Sequence, residues 1–255
     1  MDINQRTYSS AKIVNLYASE PDLQKPEATI LKILENDLYN KRMLDIGVGA
    51  GRTTAHFVNR VKEYVGVDYS EGMIKVCLER FKDTKNARFE VMDMTKGLKD
   101  LPDNSFDFVL ISFNSIDHLT FDERTDVLKQ VRRILTKDNP FCFSTHNINF
   151  IKYPPAFKFK DLFSPYSFVK TTYLNALSLK NRRKLRAENS TNIVVNDGAH
   201  TFGLNLMYVD LVEQVKNLEK AGFKDIRVFS ETGPEITSQE TLINSRDMSV
   251  YYLCN

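Results

Sequence analysis

The sequence predicts an α/β fold: a doubly wound, Rossmann-like sheet of seven mostly parallel strands with an antiparallel last strand, plus a lid insertion after the fifth strand. Three observations carry this expectation. Short β-branched or apolar runs alternate with longer amphipathic stretches through the first 147 residues. Three glycines, Gly47, Gly49 and Gly51, follow the first apolar run at alternate positions. After Asn147 the alternation breaks, and it returns only with the stretch that begins YVDLVEQV at Tyr208.

Taken in order, the strands are expected at RMLDIGV (42–48), YVGVDY (64–69), ARFEVMDM (87–94), FDFVLISF (106–113) and PFCFSTHN (140–147). Between them EGMIKVCLERFKD has helical periodicity, with Met73, Ile74, Cys77, Leu78 and Phe81 on one face. ERTDVLKQVRRIL repeats the pattern with Val127, Leu128, Val131 and Leu135. Both faces are expected to cover the sheet. Later, YVDLVEQVKNLEKAGF reads as a helix closed by Gly222, and the strands KDIRVFS and MSVYYLCN follow. Two closing strands joined by a loop suit an antiparallel edge.

The 255 residues suffice for one substantial core, so a single domain spanning 1–255 is expected. Hydrophobic residues at 42% and charged residues at 27% exclude a disordered or fibrous chain. A net charge of +2 argues against reliance on one continuous basic face for nucleic acid. Cys77, Cys142 and Cys254 form no CxxC pair, so neither a disulfide framework nor a metal site is expected. No signal peptide or membrane-length apolar run is evident, which leads us to expect a soluble, cytoplasmic protein with no membrane partner.

Glycines in a strand-to-helix turn let the backbone bend sharply and approach a ligand. They also serve tight turns that hold nothing. The dinucleotide fingerprint G-x-G-x-x-G fails here, because its third glycine position is Arg52. Arg52 itself reads as solvated helix face. The register that does match is D-x-G-x-G-x-G from Asp45, and Asp45-Ile46-Gly47-Val48-Gly49-Ala50-Gly51 resembles the first motif of class I S-adenosylmethionine-dependent methyltransferases of the small-molecule type. The resemblance extends through the order of elements to nearly the whole chain.

That resemblance implies S-adenosyl-L-methionine as cofactor, S-adenosyl-L-homocysteine as product, and a set of site residues. Asp45 would anchor the methionine amino group, an anion suited to a cationic sulfonium ligand and opposed to a pyrophosphate. Asp68, 17 positions beyond Gly51, sits at the end of the second strand, where a carboxylate can accept from both ribose hydroxyls. Asp93 would meet the adenine amino group, with Tyr69, Met73 and Met94 as apolar walls. Tyr8 and Tyr17 resemble the family's tyrosine-bearing N-terminal segment, so residues 1–30 would form a helical cap with Tyr17 on the cofactor and Tyr8 on the substrate. Ser9 replaces the aspartate that commonly follows the first tyrosine.

Ligands of open α/β sheets lie outside the carboxyl ends of the strands, so residues past strands four and five should surround the transferable methyl. These are Asn114, assigned to the cofactor, Ser115, Asp117 and His118 in FNSIDHL, and His146 and Asn147 in FSTHN. Asp117 and Asn147 are candidates for binding substrate. Two of the four histidines fall here, and His118 or His146 is the candidate base for an acceptor that must lose a proton. Each would equally satisfy a buried carbonyl.

The insertion, about 150–205, offers Phe157, Phe159, Phe163, Tyr166, Phe168 and Tyr173 as apolar lid surface, and a hairpin turning at Asn196-Asp197-Gly198. The expected acceptor is a nucleophilic nitrogen or oxygen of a small molecule or peptide-derived metabolite. The alternative is an RNA or other nucleic-acid methyltransferase using the basic segment 180–186, with Lys180, Arg182, Arg183, Lys184 and Arg186. The Asn/Asp-Pro-Pro-Tyr/Phe motif of base-amine methylation is absent, and Asn114-Ser115-Ile116-Asp117 stands in its place.

Overall fold

Apolar runs buried on both faces of a sheet become parallel strands, because both faces can then be covered by helices. In the computed structural model, which describes residues 3–152, 172, 186–187, 191–196 and 199–255, five parallel strands form: β1 (Arg42–Ile46), β2 (Glu63–Asp68), β3 (Ala87–Val91), β4 (Phe108–Ile111) and β5 (Phe141–Asn147), of which β3, at a sheet edge, has no buried residue. They are followed by β6 (Arg186–Ala187), β7 (Asn192–Val195), β8 (Leu206–Val209), β9 (Arg227–Phe229), β10 (Glu235–Ile236) and β11 (Ser249–Cys254). The main path runs β10-β9-β11-β5-β4-β1-β2-β3.

Seven of these strands form the expected sheet, and β11 is its antiparallel member. The last strand is not an edge, however. It inserts between β5 and β9, pairing with β5 from Ser249↔His146 to Cys254↔Phe141, and the edge falls to the two-residue β10. Among the described residues the sheet counts eleven strands, because β6, β7 and β8 add to it. β4 pairs with β5 only as far as Phe143, and β8 takes up His146 and Asn147 in parallel.

The hairpin pairing expected near residue 196 is present, as β7 against β8 from Asn192↔Val209 to Val195↔Leu206. Its ends are not joined by a tight turn: a helix, Ala199–Phe202, lies in the connection, and Asp197 and Gly198 fall outside the described residues. The same is true of Phe157, Phe159, Phe163, Tyr166, Phe168, Tyr173, Lys180, Arg182, Arg183 and Lys184, so the aromatic lid and most of the basic segment fall outside the described residues.

Two layers of helix cover the sheet. Val127, Leu128, Val131 and Leu135 are buried in one cluster with β4 and β5, and Ile74 and Cys77 in another with Ile30 and Leu34 of the Lys25–Leu34 helix. Leu78, expected on the buried face, is 53% exposed. One residue along a helix is a rotation of about 100°, which carries its side chain off the face that Cys77 occupies. Tyr208 and Val209 belong to β8, so the following helix is Leu211–Lys220, started by Asp210 accepting from the N–H groups of Val212 and Glu213. Ahead of β1 lie the helices Ile3–Tyr8, Ala11–Ala18 and Lys25–Leu34. No helix among the described residues is long and apolar enough to cross a membrane.

Candidate active site

The strand order reverses between β1 and β4, and the crevice outside such a switch point is where an open α/β sheet holds its ligand. A cavity of about 780 Å³, open solvent at its mouth included, lies there. Separate elements supply its walls: the turn after β1, Asp68 and Tyr69 at the end of β2, Met92 and Met94 after β3, and Ser112, Phe113, Ser115 and His118 after β4. Met73 and the N-terminal rings of Tyr8 and Tyr17 complete it.

The turn after β1 is tied to its neighbour by Gly47 and Val48, whose N–H groups both donate to the Val67 carbonyl, at 2.8 and 3.0 Å. Its glycines have different reasons to be there. A β-carbon at Gly47 would stand 2.7 Å from Ser115 Oγ, and one at Gly51 2.5 Å from the Phe81 ring, so both are demanded by packing. Gly49 has φ +55°, and a β-carbon there would meet nothing within 4 Å. Gly49 therefore borders the cavity, whereas Gly51 does not line it.

Asp68 is held by the same turn. Its Oδ2 accepts the Gly49 N–H at 3.0 Å and its Oδ1 the Ser70 N–H at 2.9 Å, leaving each oxygen capacity for a further donor. Burial pushes its pKa up, against the pull of those two donors. A fixed carboxylate with two free acceptor positions at a cavity wall suits a pair of vicinal hydroxyls, such as those of a ribose.

Asp45 does not face the cavity. It is wholly buried, its Oδ2 accepts from Thr53 Oγ1 and Tyr64 Oη at 2.5 Å each, and its Oδ1 has no partner among the described residues. Burial pushes its pKa up to about 6, although the two hydroxyls oppose the shift. The unfolded chain releases this proton near pH 3.9. Between the two values the folded protein holds a proton that the unfolded chain has lost, so this group's contribution to stability is full below about pH 4 and disappears as pH rises through about 6. Melting curves from pH 4 to 8 should show the native protein losing about 2–3 kcal/mol relative to Asp45→Asn over that window. A constant difference would show that Asp45 does not titrate there.

Arg52, expected on a solvated helix face, is instead folded inward. Its guanidinium pairs with both carboxylate oxygens of Glu27, at 2.5 and 2.7 Å, donates to Ser112 Oγ and to the Asp22 carbonyl, and lies 5.2 Å from the Phe113 ring centre. Glu27 also accepts from Tyr251 Oη at 2.7 Å and from Ser112 Oγ. Burial alone would raise the Glu27 pKa, but Arg52, Ser112 and Tyr251 hold it below the usual value. An ion pair 25 residues apart, completed by a tyrosine of the last strand, leaves no mark in local sequence pattern.

Behind the cavity wall, Asp117, His146, Asn114 and Asn147 form a second layer, and none of them lines the cavity. The fully buried Asp117 pairs with Arg124 at 2.5 Å and accepts from Thr145 Oγ1, the His146 N–H and His146 Nδ1 at 2.6, 2.7 and 2.8 Å. Burial would raise its pKa, but Arg124 and His146 keep it low. A carboxylate engaged in this way has no capacity left for a substrate, which corrects the expectation for Asp117. Because it takes the Nδ1 proton, neutral His146 offers Nε2 as an acceptor, and Asn114 Nδ2 lies 3.2 Å away. Asn147 is spent on the Ser245 carbonyl and the Asn149 N–H. Asp93 caps the Met94–Gly97 helix by accepting from the N–H and hydroxyl of Thr95, while Met94 reaches the cavity.

The cavity's roof is aromatic. Tyr8 packs edge-on against Tyr17, Tyr69, His118 and His200, with ring centres 5.7, 6.5, 5.0 and 5.8 Å away. His200 comes from the connection between β7 and β8 and had no motif to announce it. The structure thus gathers Tyr8, Tyr17, Gly47, Gly49, Asp68, Tyr69, Met73, Met94 and His118 about one space. Among the described residues there is no cluster of metal-ligating side chains.

Residues 43–138 match the methyltransferase domain family. An uncharacterized methyltransferase of Bacillus subtilis (strain 168), YcgJ, is 33% identical over 107 residues, which is 41% of this chain and 40% of that protein. The chain therefore matches less than half of that relative's length. Among solved structures, an S-adenosylmethionine-dependent methyltransferase from Mesorhizobium loti superposes with a TM-score of 0.62 at 18% identity, covering 90% of this chain and 97% of that one. A 1,6-didemethyltoxoflavin-N1-methyltransferase from Burkholderia thailandensis, solved with its acceptor and S-adenosylhomocysteine, superposes with a TM-score of 0.61 at 14% identity, covering 99% of this chain and 86% of that one. Likenesses at this identity establish a shared fold.

Proposed function

We propose that this chain, a class I S-adenosylmethionine-dependent methyltransferase by its domain and its fold, moves a methyl group to a nucleophilic nitrogen or oxygen of a small molecule or peptide-derived metabolite. The observation that carries the proposal is Gly49 and Asp68 facing one cavity, the glycine leaving open space and the carboxylate held by the glycine's own N–H. The residues present fit an S-adenosyl ligand: Asp68 would hold the ribose hydroxyls, and Tyr69, Met92 and Met94 would flank the base. When bound, that cofactor supplies a methyl already activated on a sulfonium. What the chain then contributes is alignment of the acceptor and exclusion of water.

His118, in the cavity wall beside Tyr8, is assigned to hold or remove the acceptor's proton. His146 stands one layer behind it and orients Asn114. An apolar and aromatic cavity suits a small acceptor, and the Burkholderia thailandensis neighbour is a 1,6-didemethyltoxoflavin-N1-methyltransferase.

Calorimetry with S-adenosylhomocysteine tests the cofactor site. Asp68→Ala should weaken binding by about 10–150-fold, the loss of a charged hydrogen-bond partner worth about 1.5–3 kcal/mol. Asp68→Asn, which keeps an acceptor for the Gly49 N–H, should fall between variant and native. Equal affinity in all three proteins would remove Asp68 from the site. For the acceptor, label from methyl-labelled S-adenosylmethionine should appear in a small-molecule extract and not in bulk RNA.

A further inference from the structure

The N-terminal helix Ile3–Tyr8 is fastened to a part of the chain some two hundred residues away, and the fastening is polar. Asn4 is buried, and its carboxamide pairs with the backbone of Asn205 as a neighbouring strand would: Oδ1 accepts the Asn205 N–H at 2.8 Å, and Nδ2 donates to the Asn205 carbonyl at 2.9 Å. One turn on, Thr7 Oγ1 donates to the Gly203 carbonyl at 2.8 Å. Tyr17 Oη and His200 Nε2 approach to 3.4 Å, and the rings of Tyr8 and Tyr17 both pack on His200.

On its inner side the same N-terminal unit rests on the cavity. Ile13 and Val14 cluster with Ala50 and Met73, and Tyr8 bridges this cluster to the one formed by Ile148, Val195, Leu204, Leu206 and Tyr208. Two segments far apart in sequence therefore meet over the cavity, joined by the hydrogen bonds of Asn4 and Thr7 and by the packing of Tyr8 and Tyr17 on His200.

We propose that Asn4 is a positioning residue for this site: it latches the N-terminal helices to the connection between β7 and β8, so that Tyr8, Tyr17 and His200 close over the cavity as one lid that must release as a unit when ligand passes. The inference rests on the reading of the cavity as an S-adenosyl site, and S-adenosylhomocysteine is its probe. Truncating the buried Asn4 carboxamide removes both bonds at once, because its two partners are the N–H and C=O of a single residue, the otherwise exposed Asn205. The latch lies outside the cavity wall, so its loss should act on passage through the roof more than on contacts to the ligand.

Two variants test this from opposite directions. Asn4→Ala should release S-adenosylhomocysteine about tenfold faster in stopped-flow chase experiments and should lower hydrogen-exchange protection in residues 3–8 and 203–205 together, with or without ligand. Asn4→Asp keeps the acceptor for the Asn205 N–H and should show a smaller effect. The reverse experiment locks the lid. A β-carbon at Gly203 would stand 2.8 Å from Thr7 Oγ1, so cysteines at the two positions suit the roughly 3.5–4.5 Å Cβ spacing of a disulfide. All three native cysteines are buried and leave the pair undisturbed. Oxidised Thr7→Cys/Gly203→Cys protein should exchange S-adenosylhomocysteine at least tenfold more slowly than the same protein after reduction. Release at the native rate from both Asn4→Ala and the oxidised protein, with protection of 203–205 unchanged in Asn4→Ala, overturns the latch. Failure of the native chain to bind S-adenosylhomocysteine at all overturns the cofactor reading instead, and the hydrogen-exchange comparison then still decides whether the two segments are one unit.

Discussion

Gly49→Val is expected to abolish S-adenosylhomocysteine binding, by a thousandfold or more, in a protein that still folds. The native φ of +55° lies in the region that β-branched side chains resist, at a cost of about 1–3 kcal/mol. That cost is affordable only because nothing in the protein stands within 4 Å of the new β-carbon. The same open space is the cavity, so the two methyls of valine project into the volume proposed for the cofactor. The backbone strain also loosens the Gly49 N–H from Asp68, which weakens the second element of the site at the same stroke. Gly49→Ala should be milder in both respects. Calorimetry with S-adenosylhomocysteine, alongside thermal melting to confirm folding, checks the prediction, and a folded Gly49→Val protein with native affinity contradicts it.

Asp117→Ala should cost about 3–5 kcal/mol of stability, the penalty for leaving a buried guanidinium without its counter-charge. Side-chain exposure is 3% for Arg124 and 0% for Asp117, so water cannot replace the carboxylate. Gln214 Oε1, at 2.9 Å from Arg124, is a neutral acceptor and supplies only part of what is lost. Thr145 Oγ1, the His146 backbone N–H and His146 Nδ1 lose their acceptor as well. Removing the charge together with its partner, in Asp117→Ala/Arg124→Met, should recover a large share of the loss, because the penalty belongs to the orphaned charge more than to the missing bond. Denaturant unfolding of the two variants and the native protein measures both effects. A single-variant loss below about 1 kcal/mol would mean that the interior rearranges or hydrates around Arg124, and the rigid second layer drawn here would be wrong.

These two sites mark the boundary of what local pattern conveys. Alternation of apolar residues and the glycine turn specified β1 to β5, the helices between them and the turn of Gly47 and Gly49 that borders the cavity, while the family resemblance pointed to Asp68, Tyr69, Met73 and Met94, all of which line it. The resemblance chose Asp45 and Asp93, and the rule that polar residues past strand ends suggest ligands chose Asp117 and Asn147. Neither route shows that hydroxyls hold Asp45 Oδ2 away from the cavity, that Asp93 Oδ1 caps a helix, or that an arginine and a backbone carbonyl engage Asp117 and Asn147.

The fold class and the cavity-bordering turn were legible without coordinates, because strand and helix periodicity and a glycine turn are written in consecutive residues. Long-range packing was needed to pair Arg52 with the buried Glu27, to insert β11 inside the sheet, to set His146 behind the cavity and to bring Asn4 to Asn205. Each of these depends on side-chain hydrogen bonds or strand pairings between residues far apart in the chain. A polar side chain of a given type is chemically the same whether it meets water, a ligand or a buried partner, and which of these it meets is fixed only when the rest of the chain has packed around it.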